Sequence, residues 1–153
     1  VVESRLIRLH CALVVASFRA LVAELGLGVS ETPIDTLRLF GCDHADDNPN
    51  VAVDNTLDDI ATAARVPAGT DGTQTAHTAL ASKTSTGGTL DAADSTVSAL
   101  TGDQFESLIL YKGTLTDTTS PLIAKIDTAT GLPFTPNGGD LVIVWDAAGI
   151  FTL

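Results

Sequence analysis

The densest group of side chains that could do chemistry lies in residues 42 to 47, with the sequence CDHADD. This short segment combines a thiol, an imidazole and carboxylates. Cys42 and His44, joined by His10 and Cys11 from upstream, could in principle form a tetrahedral zinc site. Paired zinc ligands are normally separated by about two to four residues, whereas His10 and Cys11 are adjacent. The spacing therefore argues against zinc.

The aspartates of the same segment could instead hold calcium together with backbone oxygens. Their spacing differs from the D-x-[DN]-x-[DN]-G pattern of an EF-hand loop. We therefore predict a solvated acidic loop, with no metal and no other cofactor. The candidates that would supply ligands if a cation did bind are Cys42, Asp43, His44, Asp46 and Asp47.

The other reactive residues lack the neighbours that catalysis requires. His77 lies in a stretch rich in Thr and Ala without an acidic neighbour, so we predict a surface histidine. Asp91 and Asp94 flank two alanines, with no sign of an apolar pocket that would raise one carboxyl pKa, so a role in turns is favoured. The sequence has no G-x-S-x-G elbow, H-E-x-x-H helix or P-loop. We predict that the protein is not an enzyme.

Composition narrows the class of protein further. The 153 residues fit a single domain, and the formal net charge of −11 argues against nucleic-acid binding, which needs a Lys/Arg surface. No apolar run of about 20 residues exists, so we expect a soluble protein that does not span or bind a membrane. Cys11 and Cys42 are too few for a disulfide framework, and reduced, buried thiols are favoured over a single bridge.

The N-terminal segment has helical periodicity. Apolar residues recur at spacings of three and four between Ser4 and Leu25, which predicts an amphipathic helix ended by Gly26 and Gly28. Its apolar face is wider than expected for a helix that packs against its own protein on one side only. We therefore expect residues 1–28 to anchor the protein to a partner or to its own copies. The predicted interface residues are Leu6, Leu9, Leu13, Phe18, Leu21 and Val22.

Residues 34–153 are predicted to form the β-rich body of the same domain. Short apolar runs bounded by Gly, Pro, Asn or Asp are typical of strands. The predicted strands are 36–42, 79–85, 89–100, 105–112, 122–127, 141–145 and 150–153. A short second helix is predicted to begin at Asn55 or Thr56 and to run to Ala64.

The last two predicted strands carry further detail. Residues 141–145 are apolar at every position, which predicts a strand covered on both faces, and residues 146–149 predict a tight hairpin to the final strand. The whole pattern predicts a mainly β (α+β) fold. We expect an antiparallel β-sandwich or small barrel with one N-terminal amphipathic helix and a short second helix.

Several blocks in the second half of the chain form a recognisable signature. They are residues 91–94 (DAAD), 110–112 (LYK), 120–123 (SPLI), 126–133 (IDTATGLP), 135–140 (TPNGGD) and 145–146 (WD). In this order they resemble the pattern of a family of small virion proteins of tailed bacteriophages. The match extends weakly upstream, and the segment DAAGIF is shorter than the usual hairpin of that family.

The resemblance implies a virion structural protein. The preferred interpretation of the resemblance is a capsid decoration or cement protein that binds the outer surface of the phage head and stabilises it. The major capsid protein and copies of the chain itself are then the implied partners, with a trimer by analogy, and synthesis takes place in the cytoplasm of the bacterial host. Two alternatives stay open: a tail or tail-fibre component, and a host-glycan-binding module, which would need exposed aromatic rings.

Overall fold

The structure is a computed structural model that describes residues 5–9, 13–14, 37–50, 52–70 and 72–152, the first two ranges by their backbone alone. These residues form short strands joined by turns and 3₁₀ turns. In chain order the strands are β1 (Arg5–Leu9), β2 (Leu13–Val14), β3 (Leu37–Cys42), β4 (Arg65–Val66), β5 (Thr78–Ala79), β6 (Thr84–Thr86), β7 (Thr89–Asp91), β8 (Ser95–Val97), β9 (Ser107–Lys112), β10 (Leu122–Ile126), β11 (Ala129–Thr130), β12 (Leu141–Val144) and β13 (Phe151–Thr152).

The strands form three sheets. The first has the order β11-β1-β12-β8, the second β2-β10-β9-β3-β4 with β5 also paired to β3, and the third β13-β7-β6. Every strand pair is antiparallel except β1 with β12, which is parallel. The prediction of a mainly β protein with antiparallel sheets is therefore confirmed.

The central pair, β3 and β9, is covered on both faces. The two strands pair along their whole length, from Leu37 opposite Lys112 to Cys42 opposite Ser107. Side chains alternate across the pleat, so each strand feeds two hydrophobic cores. The first core takes Leu37, Leu39, Leu108 and Leu110, and the second takes Phe40, Cys42, Ile109 and Tyr111. Near-continuous apolar sequence is typical of such doubly covered strands.

Strand β12, expected to be covered on both faces, alternates instead. Leu141 and Ile143 are buried in the first core, whereas Val142 and Val144 are partly exposed. The predicted hairpin after β12 is also corrected. A turn does form, because the Gly149 N–H donates to Asp146 O (2.9 Å), but the following strand β13 pairs with β7 in the third sheet. The turn carries the chain from one sheet to another.

The prediction of an N-terminal helix is corrected only at the residues of that segment that the structure describes. Within the described residues of that segment, Arg5–Leu9 and Leu13–Val14 are strands. Strand β1 lies between β11 and β12, and Leu6 pairs with Val142. The remainder of the predicted helix, including Phe18, Leu21 and Val22, lies outside the described residues. The described residues contain no helix with the length and hydropathy needed to cross a membrane.

The predicted second helix is replaced by two 3₁₀ turns, Leu57–Asp59 and Thr62–Ala64. The predicted start at Asn55 or Thr56 is confirmed. The Asp59 carboxylate accepts the backbone N–H groups of Asn55 (2.8 Å) and Thr56 (3.0 Å), and these bonds lower the pKa of Asp59. The start of the segment is capped, but no series of i→i−4 hydrogen bonds follows it. The chain therefore forms 3₁₀ turns here rather than an α-helix.

Candidate functional site

The acidic loop brings only part of its predicted ligand set together. Carboxylate oxygens of Asp43 and Asp46 lie within 4.8 Å of one another and of a carboxylate oxygen of Asp103. Asp103 comes from a turn far along the chain, and no sequence signal linked it to this loop. Asp43 is buried and already accepts the Ala45 N–H (2.7 Å), while Asp46 and Asp103 are exposed.

The remaining candidates of the loop have structural partners. Cys42 Sγ donates to Asp47 O (3.4 Å), and the Asp47 carboxylate accepts the Ala61 N–H (2.6 Å). His44 Nε2 lies 2.8 Å from Ser107 Oγ. These bonds fasten the loop to the 3₁₀ turns and to β9. His10 and Cys11, needed for the zinc arrangement, lie outside the described residues.

Burial is the largest cause of the pKa shifts of two side chains in this segment, Cys42 and His44. It raises the pKa of the Cys42 thiol to about 12, with a further contribution from the Asp47 carboxylate. Burial, then the Lys125 ammonium, lowers the pKa of His44. At neutral pH both groups are therefore uncharged, and Cys42 has little of the thiolate that reacts or binds metals.

A buried ionic network bonds to the 3₁₀ turn Leu57–Asp59 and to the residue that follows it. Its centre is Arg65 in β4, which is 3% exposed. One guanidinium nitrogen of Arg65 donates to Asp117 Oδ2 and to Gly69 O (2.6 Å each), and the other donates to Leu57 O (2.7 Å) and Ile60 O (2.8 Å). Arg65 thereby ties its own loop to the 3₁₀ turn Asp117–Thr119.

Gln74, fully buried, extends this network to the loop after β9. Its amide nitrogen donates to Asp117 Oδ1 (2.8 Å) and to Ser120 Oγ (3.1 Å). Its amide oxygen accepts the backbone N–H of Leu115 (3.0 Å). Ser120 Oγ in turn donates to Thr116 O (2.8 Å). We use "buried network" below for Arg65, Gln74, Asp117 and Ser120.

His77 is buried beside this network, so the prediction of a surface histidine is wrong. It is 1% exposed, its Nδ1 lies 2.7 Å from the Tyr111 hydroxyl, and its ring stacks on Phe40 at 4.5 Å between centroids. Burial, then the charge of Arg65, lowers the pKa of His77 to about 4. Burial raises the pKa of Tyr111. The pair is therefore neutral and packs as part of the second core.

The network supports two neighbouring surface loops, residues 67–76 and 113–119. The exposed residues that the structure describes in these loops are uncharged, and the first loop also contains Asp71, which lies outside the described residues. We name these exposed residues the loop platform: Ala68, Gly72, Thr73, Thr75, Ala76, Thr114, Leu115, Thr116, Thr118 and Thr119. The two loops are joined directly, because the Gly72 N–H donates to Leu115 O (2.8 Å).

Leu115 is the unusual residue of the platform. Its φ is +68°, in the left-handed region, which costs a non-glycine residue about 1–2 kcal/mol, and its side chain is 49% exposed. Both of its backbone polar groups are held, the N–H by Gln74 and the C=O by Gly72. The buried network therefore imposes a strained backbone that presents an apolar side chain to solvent.

Asp91 and Asp94 both accept backbone hydrogen bonds, Asp91 from the next residue and Asp94 from a residue 51 positions further along the chain. The Asp91 carboxylate accepts the Ala92 N–H (2.8 Å), and the Asp94 carboxylate accepts the Trp145 N–H (3.1 Å). The interface role predicted for Leu6, Leu9 and Leu13 stays a prediction, since the structure describes only their backbone. No protein-family model matches this chain, and no curated protein matches it.

Proposed function

We propose that this chain is a non-enzymatic structural protein of a tailed-bacteriophage virion, most specifically a decoration protein on the outer surface of the head. The observation that carries the proposal is the sequence signature, above all the blocks IDTATGLP and TPNGGD. It is a resemblance in sequence, and the structure supplies a physical reason for those blocks. They run from β10 through β11 to the start of β12.

The block TPNGGD and the residue before it have defined contacts in this fold. Phe134, between the blocks, exchanges backbone hydrogen bonds with Phe105 (3.0 and 2.9 Å). In TPNGGD, Asn137 Oδ1 accepts the Gly139 N–H (3.0 Å), and Gly138 takes a φ of +80°, which glycine tolerates best. The Gly138 N–H and Gly139 C=O then bond to the backbone of Leu100 (2.9 Å each). The block TPNGGD therefore forms a turn that is fastened to Leu100.

Three further features support a structural role. The three sheets are compatible with the antiparallel β-sandwich that we propose as the architecture. The net charge of −11 favours solubility at the high local density of a decorated shell. Every aromatic side chain that the structure describes is buried, which disfavours the glycan-binding alternative because stacking on sugars needs an exposed ring: Phe40, Phe105, Tyr111, Phe134, Trp145 and Phe151.

The proposed partners are the major capsid protein and other copies of the chain. A decoration protein gains avidity from many copies, each making a modest contact. Binding to the assembled shell stabilises the shell by mass action. The expected location is therefore the head of the particle, and the expected phenotype of its removal is a less stable head.

The test is to locate the protein on particles of the phage that encodes it. A short epitope placed between Gly87 and Gly88 suits this purpose, because both residues have positive φ in the turn between β6 and β7 and Gly87 has open space around it. Electron micrographs with a bound antibody fragment should show label over the whole head lattice. Label confined to the tail would replace the decoration role by a tail role, and particles without label in head or tail would overturn both.

A second measurement addresses the stabilising role. Particles lacking the protein should release DNA at a lower temperature than particles complemented with the wild-type chain. Equal release temperatures would contradict stabilisation even if the label lies on the head.

A further inference from the structure

The turn formed by TPNGGD contains Asn137 followed by Gly138, a pair of residues prone to a spontaneous chemical change. The backbone nitrogen of the residue after an asparagine attacks the side-chain amide carbon, and glycine hinders this attack least because it has no Cβ. The other described asparagines lack a following glycine: Asn48, Asn50 and Asn55 precede Pro49, Val51 and Thr56. Proline has no N–H, and β-branched side chains crowd the attacking nitrogen.

The pair is open to solvent. Asn137 is exposed, and a Cβ added at Gly138 would meet no atom within 4 Å. Water, which the later step of the reaction consumes, therefore reaches both residues.

The hydrogen bonds of the turn oppose the reaction. The attacking nitrogen must lose its proton, but the Gly138 N–H donates to Leu100 O (2.9 Å). The amide under attack is also held, because Asn137 Oδ1 accepts the Gly139 N–H (3.0 Å). The Leu100 N–H in turn donates to Gly139 O (2.9 Å), so the turn is fastened through both backbone groups of Leu100. These bonds must open locally before the nitrogen can react.

We propose that Asn137 is a modification site of this chain, at which deamidation proceeds through a succinimide at a rate set by the bonds of the turn to Leu100. The Gly138 nitrogen gives up its proton and bonds to Asn137 Cγ. The bond from Cγ to the side-chain nitrogen breaks, and ammonia leaves with that proton. Water then opens the ring at either carbonyl, which gives aspartate or isoaspartate without any oxidant or cofactor.

The two products differ in their effect on the turn. Aspartate keeps a side-chain oxygen that accepts the Gly139 N–H. Isoaspartate leads the main chain through the former side chain and lengthens it by a methylene group, so Gly138 and Gly139 lose their register with Leu100. Formation of isoaspartate is therefore expected to loosen the connection between β11 and β12.

Peptide mapping by mass spectrometry tests the proposal on the full chain, incubated at mildly alkaline pH either native or in urea. In urea, Asn137 should convert faster than Asn50 and Asn55. In the native chain, Asn137 should convert at least about tenfold more slowly than in urea, because only the open fraction of the turn reacts. Methylation by an isoaspartyl methyltransferase identifies the isoaspartate product. Asn137→Gln should abolish the conversion at this position, since its longer side chain would have to close a larger ring.

Two matched variants separate local opening of the turn from global unfolding. Asp140 is exposed, and its Oδ1 accepts the Ala99 N–H (2.9 Å), a further bond between the turn and the loop after β8. Asp140→Ala should speed native conversion of Asn137 at least about threefold and leave the rate in urea unchanged. Asp94→Ala is the control, because Asp94 is also exposed and accepts the Trp145 N–H (3.1 Å) elsewhere. It should change the native rate by less than about 1.5-fold.

This inference concerns the purified chain and does not rest on the virion assignment. Equal conversion of Asn137 in the native chain and in urea would overturn it, as would faster conversion of Asn50 or Asn55 in urea. A native rate that Asp140→Ala leaves unchanged, or that Asp94→Ala raises equally, would overturn the control by the bonds of the turn.

Discussion

Replacing Arg65 by methionine tests how much the buried network contributes to stability. Methionine keeps an unbranched apolar stem but removes all the donors of the guanidinium. Four hydrogen bonds are lost, to Asp117, Gly69, Leu57 and Ile60, and the Asp117 carboxylate stays in a largely buried position without its cation. We therefore expect a large loss of stability at neutral pH.

The size of the loss follows from two estimates. Four hydrogen bonds to a charged group, at about 1.5–3 kcal/mol each, would sum to about 6–12 kcal/mol. The substitution also removes the desolvation cost of the guanidinium, and breaking one buried ion pair typically costs about 3–5 kcal/mol. We therefore expect Arg65→Met to lower the free energy of unfolding by about 3–5 kcal/mol. Breaking an exposed ion pair would cost only about 0–1 kcal/mol. The measured loss of stability therefore distinguishes a buried ion pair from an exposed one.

Urea unfolding followed by fluorescence provides the assay. Trp145 is the single tryptophan of the chain and is buried, so its emission reports the folded state. With an m-value of about 2 kcal/mol/M, the midpoint should fall by about 2 M for Arg65→Met. Arg38→Met is the matched control, because Arg38 is only partly buried and donates to His77 O (3.1 Å), and it should cost less than about 1.5 kcal/mol.

A double-mutant cycle identifies the source of the effect. The pair Arg65→Met and Asp117→Leu removes both charges, so it should be less destabilised than the sum of its single variants, by at least about 2 kcal/mol. An Arg65→Met variant that loses less than about 1 kcal/mol would refute the reasoning. Additive effects in the cycle would refute the claim that the two charges act as a pair.

Three further predictions concern the cores and the buried titratable groups. Because the pKa of folded His77, about 4, lies below its ordinary value of 6.5, folding stability is fully present above pH 6.5 and falls by up to about 3 kcal/mol toward pH 4. Urea titrations across this range should show the fall, and His77→Gln should flatten it. Gly41→Ala should lower the free energy of unfolding in urea by at least about 2 kcal/mol, because the added Cβ would collide with the Phe105 ring. Gly87→Ala is the control: its Cβ would meet open space, so only the positive φ should lower the stability, by about 1 kcal/mol. Mass spectrometry after iodoacetamide treatment should show Cys42 alkylated in urea and protected in the native protein; rapid native labelling would contradict its burial.

The strands were the part of the fold most open to prediction from sequence. The predicted strand 36–42 is observed as Leu37–Cys42, and 122–127 is observed as Leu122–Ile126. Both are short apolar runs bounded by turn residues, a signal that is local in the chain. The cap near Thr56 was predictable for the same reason, because Asp59 bonds to residues only three and four positions before it.

Pairing between distant segments could not be predicted. Leu6 and Leu9 fit a helical period, yet their neighbours are β12 and β11, more than a hundred residues away, and such pairing overrides local propensity. His77 looked like a surface residue because Phe40 and Tyr111, which cover it, are distant in sequence. The acidic cluster was only partly predictable, since Asp103 joins it from another turn.

The buried network left no signature in the sequence, because Gln74, Asp117 and Ser120 all resemble ordinary turn residues. Its presence needs a reason other than stability, since apolar residues of similar volume often stabilise a protein as well as a buried ion pair does. The geometry supplies one: every member of the network holds a loop that carries the loop platform, and Gln74 bonds directly to the strained backbone of Leu115. If the network exists to fix that surface, the apolar pair Arg65→Met with Asp117→Leu should stay folded and yet exchange the amide hydrogen of Leu115 faster than the wild-type chain. A double variant that folds and still protects the amide hydrogen of Leu115 as well as the wild-type chain does would show that the charged pair does not hold the platform in place.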